Sequence, residues 1–399
     1  MPPKRIAVCM DGTWSRLRSD TPTNIAKIAR AVQHESADGA KQIVIYTPGV
    51  GAADDLTADA KGAVAGGLFG AGLEKDILDT YIRLCLNYQW GDEIFIFGYS
   101  RGAFSARSLG GLIRRCGIVR RRFIDRAGEA FDLYRAGKGL DPDDARYVAF
   151  RNAYNKGLGR TWKTGDERPP LHIRYFGLFD TVGQRGVPSG LGFLTDLVNR
   201  KYEFHSLSLS NQVDSARHAI ALDEARFAFP PTLWNNLDVL NKEAIAQGVE
   251  PTKLPYLQRW FTGTHGDIGG GASNAKLANI TLGWVIDGAE KMGLAFDRTD
   301  GSPAGEAFDP ASLDPIAPMV APNGVWGLAP RTLAKPAKGA KGVDPALISA
   351  LVHDSVIERV MRTQDERKPY RPPALKKFMP ILREIAARRG WETIGGRRG

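Results

Sequence analysis

Three cysteines in 399 residues (Cys9, Cys85 and Cys116) are too few and too scattered for a disulfide scaffold. They also lack paired metal-type spacing, which excludes a cysteine-ligated zinc site. Each lies in or beside an apolar segment and reads as a small buried hydrophobe in a reducing compartment. No apolar run reaches the ~18 residues needed to span a bilayer. The nearest contender, Gly62 to Gly72, is short and glycine-rich, and its Gly62, Gly66, Gly70 spacing reads as a loop or tight packing. An export signal is missing too, since Lys4 and Arg5 precede only Ile6 to Met10 before Asp11 and Gly12. The chain is therefore expected to be cytoplasmic as made. It has no internal repeat and no nucleic-acid-binding motif. A dinucleotide site is excluded, because Asp11-Gly12-Thr13 stands where G-x-G-x-x-G would follow the first strand.

What is present is an ordinary globular composition, 43% hydrophobic and 25% charged. Lysine and arginine number 54 against 44 acidic residues, a net charge of +10 that favours anionic partners such as a membrane surface or acidic substrate. Short apolar runs at Ile6 to Met10, Gln42 to Tyr46 and Glu93 to Phe97 alternate with helical spacing at Asn24 to Val32, Leu73 to Tyr88 and Phe104 to Arg115. Runs of that kind, without in–out alternation, predict a mostly parallel sheet flanked by helices. Residues 120–170 read as a helical cap insertion. Strand character returns at His172 to Phe179 and Trp260 to Thr264, and Ser215 to Leu222 has helical spacing. Leu277 to Met292 and Pro345 to Arg362 read as helices, with an irregular Pro/Gly/Ala-rich excursion over 297–342. The whole of 1–399 is expected to form one domain.

Gly98-Tyr99-Ser100-Arg101-Gly102 matches G-x-S-x-G. The string alone is weak, but here it follows an apolar strand and opens a helix, as a nucleophile elbow must. A serine hydroxyl needs a base, and the elbow arrangement supplies its partners in the order serine, acid, histidine. His172 precedes the best acid, His218 lies in a helical stretch, and His205 has no strand context. His265 follows Trp260 to Thr264 and enters a loop able to reach Ser100, with His353 in reserve. Asp180 closes the strand Tyr175 to Phe179, so its carboxylate can fix the imidazole tautomer. Asp267, two residues from His265, would need awkward local geometry. The oxyanion donors fall to the backbone of Arg101, after the nucleophile, and of Gly12 and Thr13 in the loop leaving the first strand. None of these roles uses a metal or another cofactor.

Six motifs then occur in one order: Asp11-Gly-Thr-Trp14, Pro48-Gly-Val-Gly51, Gly98-Tyr-Ser-Arg-Gly-Ala103, Gly177-Leu-Phe-Asp-Thr-Val182, Ala221-Leu-Asp-Glu-Ala-Arg226 and Trp260-Phe-Thr-Gly-Thr-His-Gly-Asp-Ile-Gly-Gly-Gly271. Together they resemble the uncharacterised α/β-hydrolase domain of type VI secretion phospholipase effectors of the first lipase class. Val352 to Val356 and Tyr370 to Leu375 resemble that family's closing segment. The resemblance implies an α/β-hydrolase fold, phospholipid ester hydrolysis, and a triad on Ser100, Asp180 and His265. For an effector it further implies export without a signal peptide, a secretion-apparatus partner and an immunity partner. Two alternatives stand beside this reading: an esterase or thioesterase acting on a soluble substrate, and a non-catalytic domain that binds anionic membrane through clusters such as Arg120-Arg121-Arg122.

Overall fold

Six short strands make the framework: β1 (Arg5–Met10), β2 (Gln42–Thr47), β3 (Glu93–Tyr99), β4 (Ile173–Phe179), β5 (Val213–Ala221) and β6 (Tyr256–Phe261). They form one sheet in the order β2-β1-β3-β4-β5-β6, and every pair is parallel. The computed structural model describes residues 3–13, 15–49, 51, 68–137, 141–155, 171–183, 207–226, 229–320, 330–333, 344–364 and 366–391. β1, β3 and β4 are covered on both faces, which is why their sequences are nearly all apolar. On one face Ile6, Val8, Ile94 and Ile96 pack against the helices Leu68–Asn87 and Arg101–Cys116. On the other, Ala7, Cys9, Phe95 and Phe97 meet Ile25 and Ile28 of the helix Asn24–Ala31, and Leu282 and Val285 of the helix Lys276–Lys291. All three cysteines are buried and free.

The chain leaves β1 toward one edge of the sheet and builds outward from β3 toward the other. This divergence opens a crevice above the carboxyl ends of β1 and β3, the usual ligand position in an open parallel sheet. The outer edge of β6 is covered: Trp260 bridges to Val352, and the His353 N–H donates to the Trp260 carbonyl at 2.9 Å. A third apolar cluster, with Ile348, Val356, Leu375 and Leu382, backs this edge.

Two sequence expectations need correction. Ser215 to Ala221 belongs to β5 rather than to a helix, and Leu222 follows it. Its polar residues suggested a solvated face, but Arg217 and His218 are buried and satisfied, Arg217 by Asp287 at 2.8 Å and His218 by Thr181 and Gln258. Pro345 to Arg362 is two helices, Pro345–Leu351 and Asp354–Arg362, interrupted where Val352 and His353 pair with β6.

The insertion over 120–170 is helical where it is described, with a 3-10 segment Arg121–Arg126 and helices Ala127–Ala136 and Ala145–Tyr154. These pack against the carboxyl-terminal half of the helix Arg101–Cys116. Arg151 donates to the Arg115 carbonyl at 2.6 Å, Asn155 donates to that of Cys116 at 2.7 Å, and Tyr134 lies against Gly111. Gly111 stands roughly 16 Å along the helix axis from Ser100, at 1.5 Å per residue. This part of the insertion therefore lies away from the Ser100 end, and residues 156–170 lie outside the described residues. So do Trp14, Gly62 to Gly67, His205 and most of 321–342. The described part of the 297–342 excursion holds a single turn of helix at Pro303–Glu306 and a 3-10 turn at Pro310–Ser312.

Candidate active site

Local geometry at the end of β3 explains the G-x-S-x-G string. Ser100 has φ 57° and ψ −122°, a conformation that costs a non-glycine residue on the order of 1–3 kcal/mol. Its N–H donates to the Phe179 carbonyl at 3.0 Å, which ties the turn to the end of β4. The flanking glycines are steric requirements. A Cβ on Gly98 would stand 2.5 Å from Ala103 Cα, and one on Gly102 would stand 2.2 Å from the Met10 carbonyl oxygen.

Asp180 ends β4 in a second strained turn, φ 39°. Its fully buried carboxylate accepts four N–H donors. Oδ1 takes the Ala221 N–H at 3.0 Å and Arg331 Nη1 at 2.6 Å, while Oδ2 takes Arg331 Nη2 at 3.0 Å and His265 Nδ1 at 2.6 Å. Burial alone would push this carboxyl up. The Arg331 charge and the His265 contact outweigh it and hold the carboxyl well below the usual carboxylate range.

His265 opens the short helix His265–Gly269 after β6, and its Nε2 lies 2.8 Å from Ser100 Oγ. The three side chains thus form one line, Asp180 to His265 to Ser100. With Nδ1–H donated to the carboxylate, Nε2 is left as the acceptor that a serine proton requires. The imidazole lies between two rings, Tyr99 at 4.7 Å and Phe229 at 5.1 Å between centroids.

Two supports come from motifs whose roles the sequence did not disclose. Glu224 accepts the His265 backbone N–H at 3.1 Å and is held by Arg226 through its backbone and both ends of its guanidinium, at 2.8–2.9 Å. Burial raises the Glu224 carboxyl, and the Arg226 contacts more than offset this, bringing it below its ordinary value. Asp223 accepts the Gly263 N–H and the Tyr370 hydroxyl, each at 2.7 Å, and burial pushes its carboxyl up to about 6. The Ala221 to Arg226 motif is therefore the cradle of the His265 loop. Arg331 had no such signal, lying in a stretch without periodicity.

The other histidines go elsewhere. His218 Nε2 accepts the Thr181 N–H at 3.2 Å, and Nδ1 lies 3.1 Å from Gln258 Oε1. His218 thus supports the turn carrying Asp180, and burial lowers its pKa to about 3. His353 caps the helix Asp354–Arg362 and stacks on Phe261 at 4.3 Å, its pKa lowered by burial to about 4. His172 pairs with Asp214 at the opposite end of the sheet. Asp267 caps the helix His265–Gly269, accepting from the Thr264 N–H and hydroxyl at 2.9 Å each.

The loop leaving β1 lies beside the serine turn. Asp11 is buried and accepts from Thr23, from Tyr46 at 2.7 Å and from the Gly12 N–H at 2.7 Å. Burial raises its carboxyl, and those hydrogen bonds oppose the rise. In this structure the Gly12 N–H is therefore already engaged. A cleft of about 460 Å³ opens beside His265, lined by residues that include Thr13, Ser15, Ser19 and Thr23, with Arg16, Arg226 and Val320. Among the described residues no cluster of three or more His, Cys, Asp or Glu side chains could hold a metal ion.

The chain carrying these residues has counterparts among known sequences. Residues 4–288 match the family described as "T6SS, Phospholipase effector Tle1-like, catalytic domain". The chain belongs to this family. A Saccharomyces cerevisiae relative described as uncharacterized protein YEL023C is 29% identical over 273 residues, covering 66% of this chain and 35% of that protein. Among solved structures, an uncharacterized protein from Pseudomonas aeruginosa covers 74% of this chain and 46% of its own at 17% identity, TM-score 0.38. The Tle1 effector bound to the VgrG spike from the type 6 secretion system covers 68% and 52% at 18% identity, TM-score 0.34. The chain thus spans about a third of the curated relative and about half of these structures. Within the Tle1-like match lie Ser100, Asp180, His265 and the Glu224–Arg226 cradle, whereas Arg331 falls beyond it.

Proposed function

We propose that this Tle1-like domain is a serine carboxylic ester hydrolase acting on phospholipid through an acyl-enzyme intermediate. The observation that carries this reading is the line of contacts from Asp180 through His265 to Ser100, 2.6 and 2.8 Å long. In this scheme Ser100 Oγ attacks the ester carbonyl as His265 Nε2 takes its proton, and Asp180 stabilises the imidazolium. Collapse expels the alcohol, which receives that proton from His265. Water activated by the same imidazole then releases the acid and restores Ser100. The backbone N–H groups of Thr13 and Arg101 are assigned to the oxyanion, while Gly12 serves by leaving room beside Tyr99.

The cleft beside His265, with Arg16 and Arg226 among its lining residues, suits the headgroup side of a phospholipid. It also favours a second reading, a soluble ester with a polar leaving group. Membership of an effector family supports synthesis in the cytoplasm, export without a signal peptide, and partners in a secretion apparatus and an immunity protein. Among the described residues no helix is long and apolar enough to cross a membrane.

The test compares wild type with Ser100→Ala, using fluorophosphonate labelling and hydrolysis of phosphatidylglycerol vesicles and p-nitrophenyl butyrate. The wild type should label and hydrolyse vesicles, and the alanine variant, still folded, should do neither. Labelling that persists in Ser100→Ala would sink the triad. Turnover confined to the soluble ester would favour the second reading.

A further inference from the structure

We infer that Arg331 is a positioning residue of the active site, one that sets the charge felt by His265 by neutralising Asp180 from behind. This rests on the triad reading above. The observation is a bidentate contact to a fully buried carboxylate. Arg331 Nη1 donates to Asp180 Oδ1 at 2.6 Å and Nη2 donates to Oδ2 at 3.0 Å. The same two nitrogens donate to the Ala221 carbonyl at 2.8 Å and the Phe229 carbonyl at 2.6 Å. Both side chains are buried, Arg331 4% exposed and Asp180 0%. A fork of this kind fixes orientation as well as charge, because its two N–H vectors match the two carboxylate oxygens.

The consequence is electrostatic. In an unassisted serine–histidine–aspartate line, the carboxylate stabilises the imidazolium with its full charge. Here a guanidinium stands on the far side of the carboxylate, so protonated His265 faces a neutralised pair. Removing Arg331 would leave a buried carboxylate held only by the Ala221 N–H and His265, so its charge would favour the protonated imidazole. The imidazole should then hold its proton to higher pH. The other groups facing His265 keep their places in this comparison: Tyr99 from β3, Glu224 and Arg226 after β5, and Asp267 on its own helix, with His218 one residue removed through Thr181.

The experiment measures kcat/KM against pH for p-nitrophenyl butyrate with wild type, Arg331→Met and Arg331→Lys. The acid limb of Arg331→Met should move up by about one pH unit, the scale of a neighbouring charge. Arg331→Lys should lose rate yet keep its limb near that of wild type. A lowered rate with an unmoved limb in Arg331→Met would reduce Arg331 to a structural tie. If Arg331→Met is not recovered folded, the Lys variant decides alone, because a full-unit shift with the charge retained overturns the inference. A second measurement needs no activity. In thermal unfolding, Arg331→Met should cost much less in an Asp180→Asn background than in wild type, because the asparagine leaves the guanidinium without its anion. Additive losses would mean the pair does not act as a pair. This cycle stands or falls even if no ester is ever turned over, which separates its failure from that of the triad.

Discussion

The molecule contains the same three side-chain types in contact at both ends of its sheet. At the carboxyl end, Asp180 takes His265 at 2.6 Å and Arg331 at 2.6 and 3.0 Å. At the amino end, Asp214 takes His172 at 3.0 Å and Arg174 at 2.6 Å. In both places a histidine Nδ1 meets an arginine-bound carboxylate. The difference lies in the surroundings. Asp214 and His172 are about a quarter exposed, in reach of water, whereas Asp180 is fully buried and His265 is 8% exposed. His265 presents its second nitrogen to a serine on a strained turn, and its carboxylate partner sits on another. A histidine–carboxylate contact is therefore no site by itself. What distinguishes the upper cluster is enclosure, a serine hydroxyl in line, and backbone held in costly conformations by the strand ends around it.

That contrast can be broken most severely at the upper cluster. His265→Ala and Asp180→Asn should each lower kcat by roughly 10³-fold or more, since triad members act as a unit. Steady-state kinetics on p-nitrophenyl butyrate reads this directly, and a loss of only a few-fold in both variants would remove the cluster from the chemistry.

Next in size is a pH effect on stability that belongs to histidines outside either cluster. Burial lowers the pKa of His353 to about 4 and of His218 to about 3, while an unfolded histidine titrates near 6.5. Below that value the unfolded chain binds protons that the folded chain refuses, so stability falls as pH drops from about 6.5 toward 4. For His353 the loss is on the order of 3 kcal/mol. Asp180 has the opposite position: held below the carboxylate range, its contribution is complete above about 4 and is lost only in stronger acid. Asp223, its carboxyl pushed up to about 6 by burial, works the other way over the same range. The test is therefore a difference: in urea unfolding across pH 4 to 7, wild type should lose stability toward acid relative to His353→Asn, which keeps a capping side chain. An unchanged slope would show that His353 titrates alike in both states.

The smallest effect sharpens the contrast from the other side. His172→Ala should leave ester turnover within about twofold of wild type, because an exposed pair contributes about 0–1 kcal/mol and lies at the far end of the sheet. A tenfold loss would mean that the two clusters communicate.

Much of the upper cluster was legible in the sequence because strand ends are local events. Ser100, Asp180 and His265 each follow an apolar run and precede a glycine-rich or helical start, so a linear pattern could place them above one edge. The parallel sheet was legible for the same reason. His218 was misread because its neighbours Arg217 and Ser215 look solvent-facing, whereas their partners Asp287 and the Pro255 carbonyl come from distant segments. The break at Val352 and His353 was hidden likewise, because the edge of β6 that it covers lies some ninety residues earlier. Glu224 stood within a quoted motif, yet nothing local says that its carboxylate holds a backbone N–H across the crevice. Arg331 was beyond reach, since its meaning lies entirely in a contact made 151 residues away.

This last separation bears on modularity. The match to the family's catalytic-domain description ends at residue 288, inside the helix Lys276–Lys291. An excision or chimaera built at that boundary would inherit Ser100, Asp180 and His265. It would leave the acid's charge without its counter-ion, and it would strip β6 of the segment around Val352, opening a sheet edge to pairing with other chains. The matched segment and the segment that completes the surroundings of Asp180 and the edge of β6 are, in this chain, of different lengths.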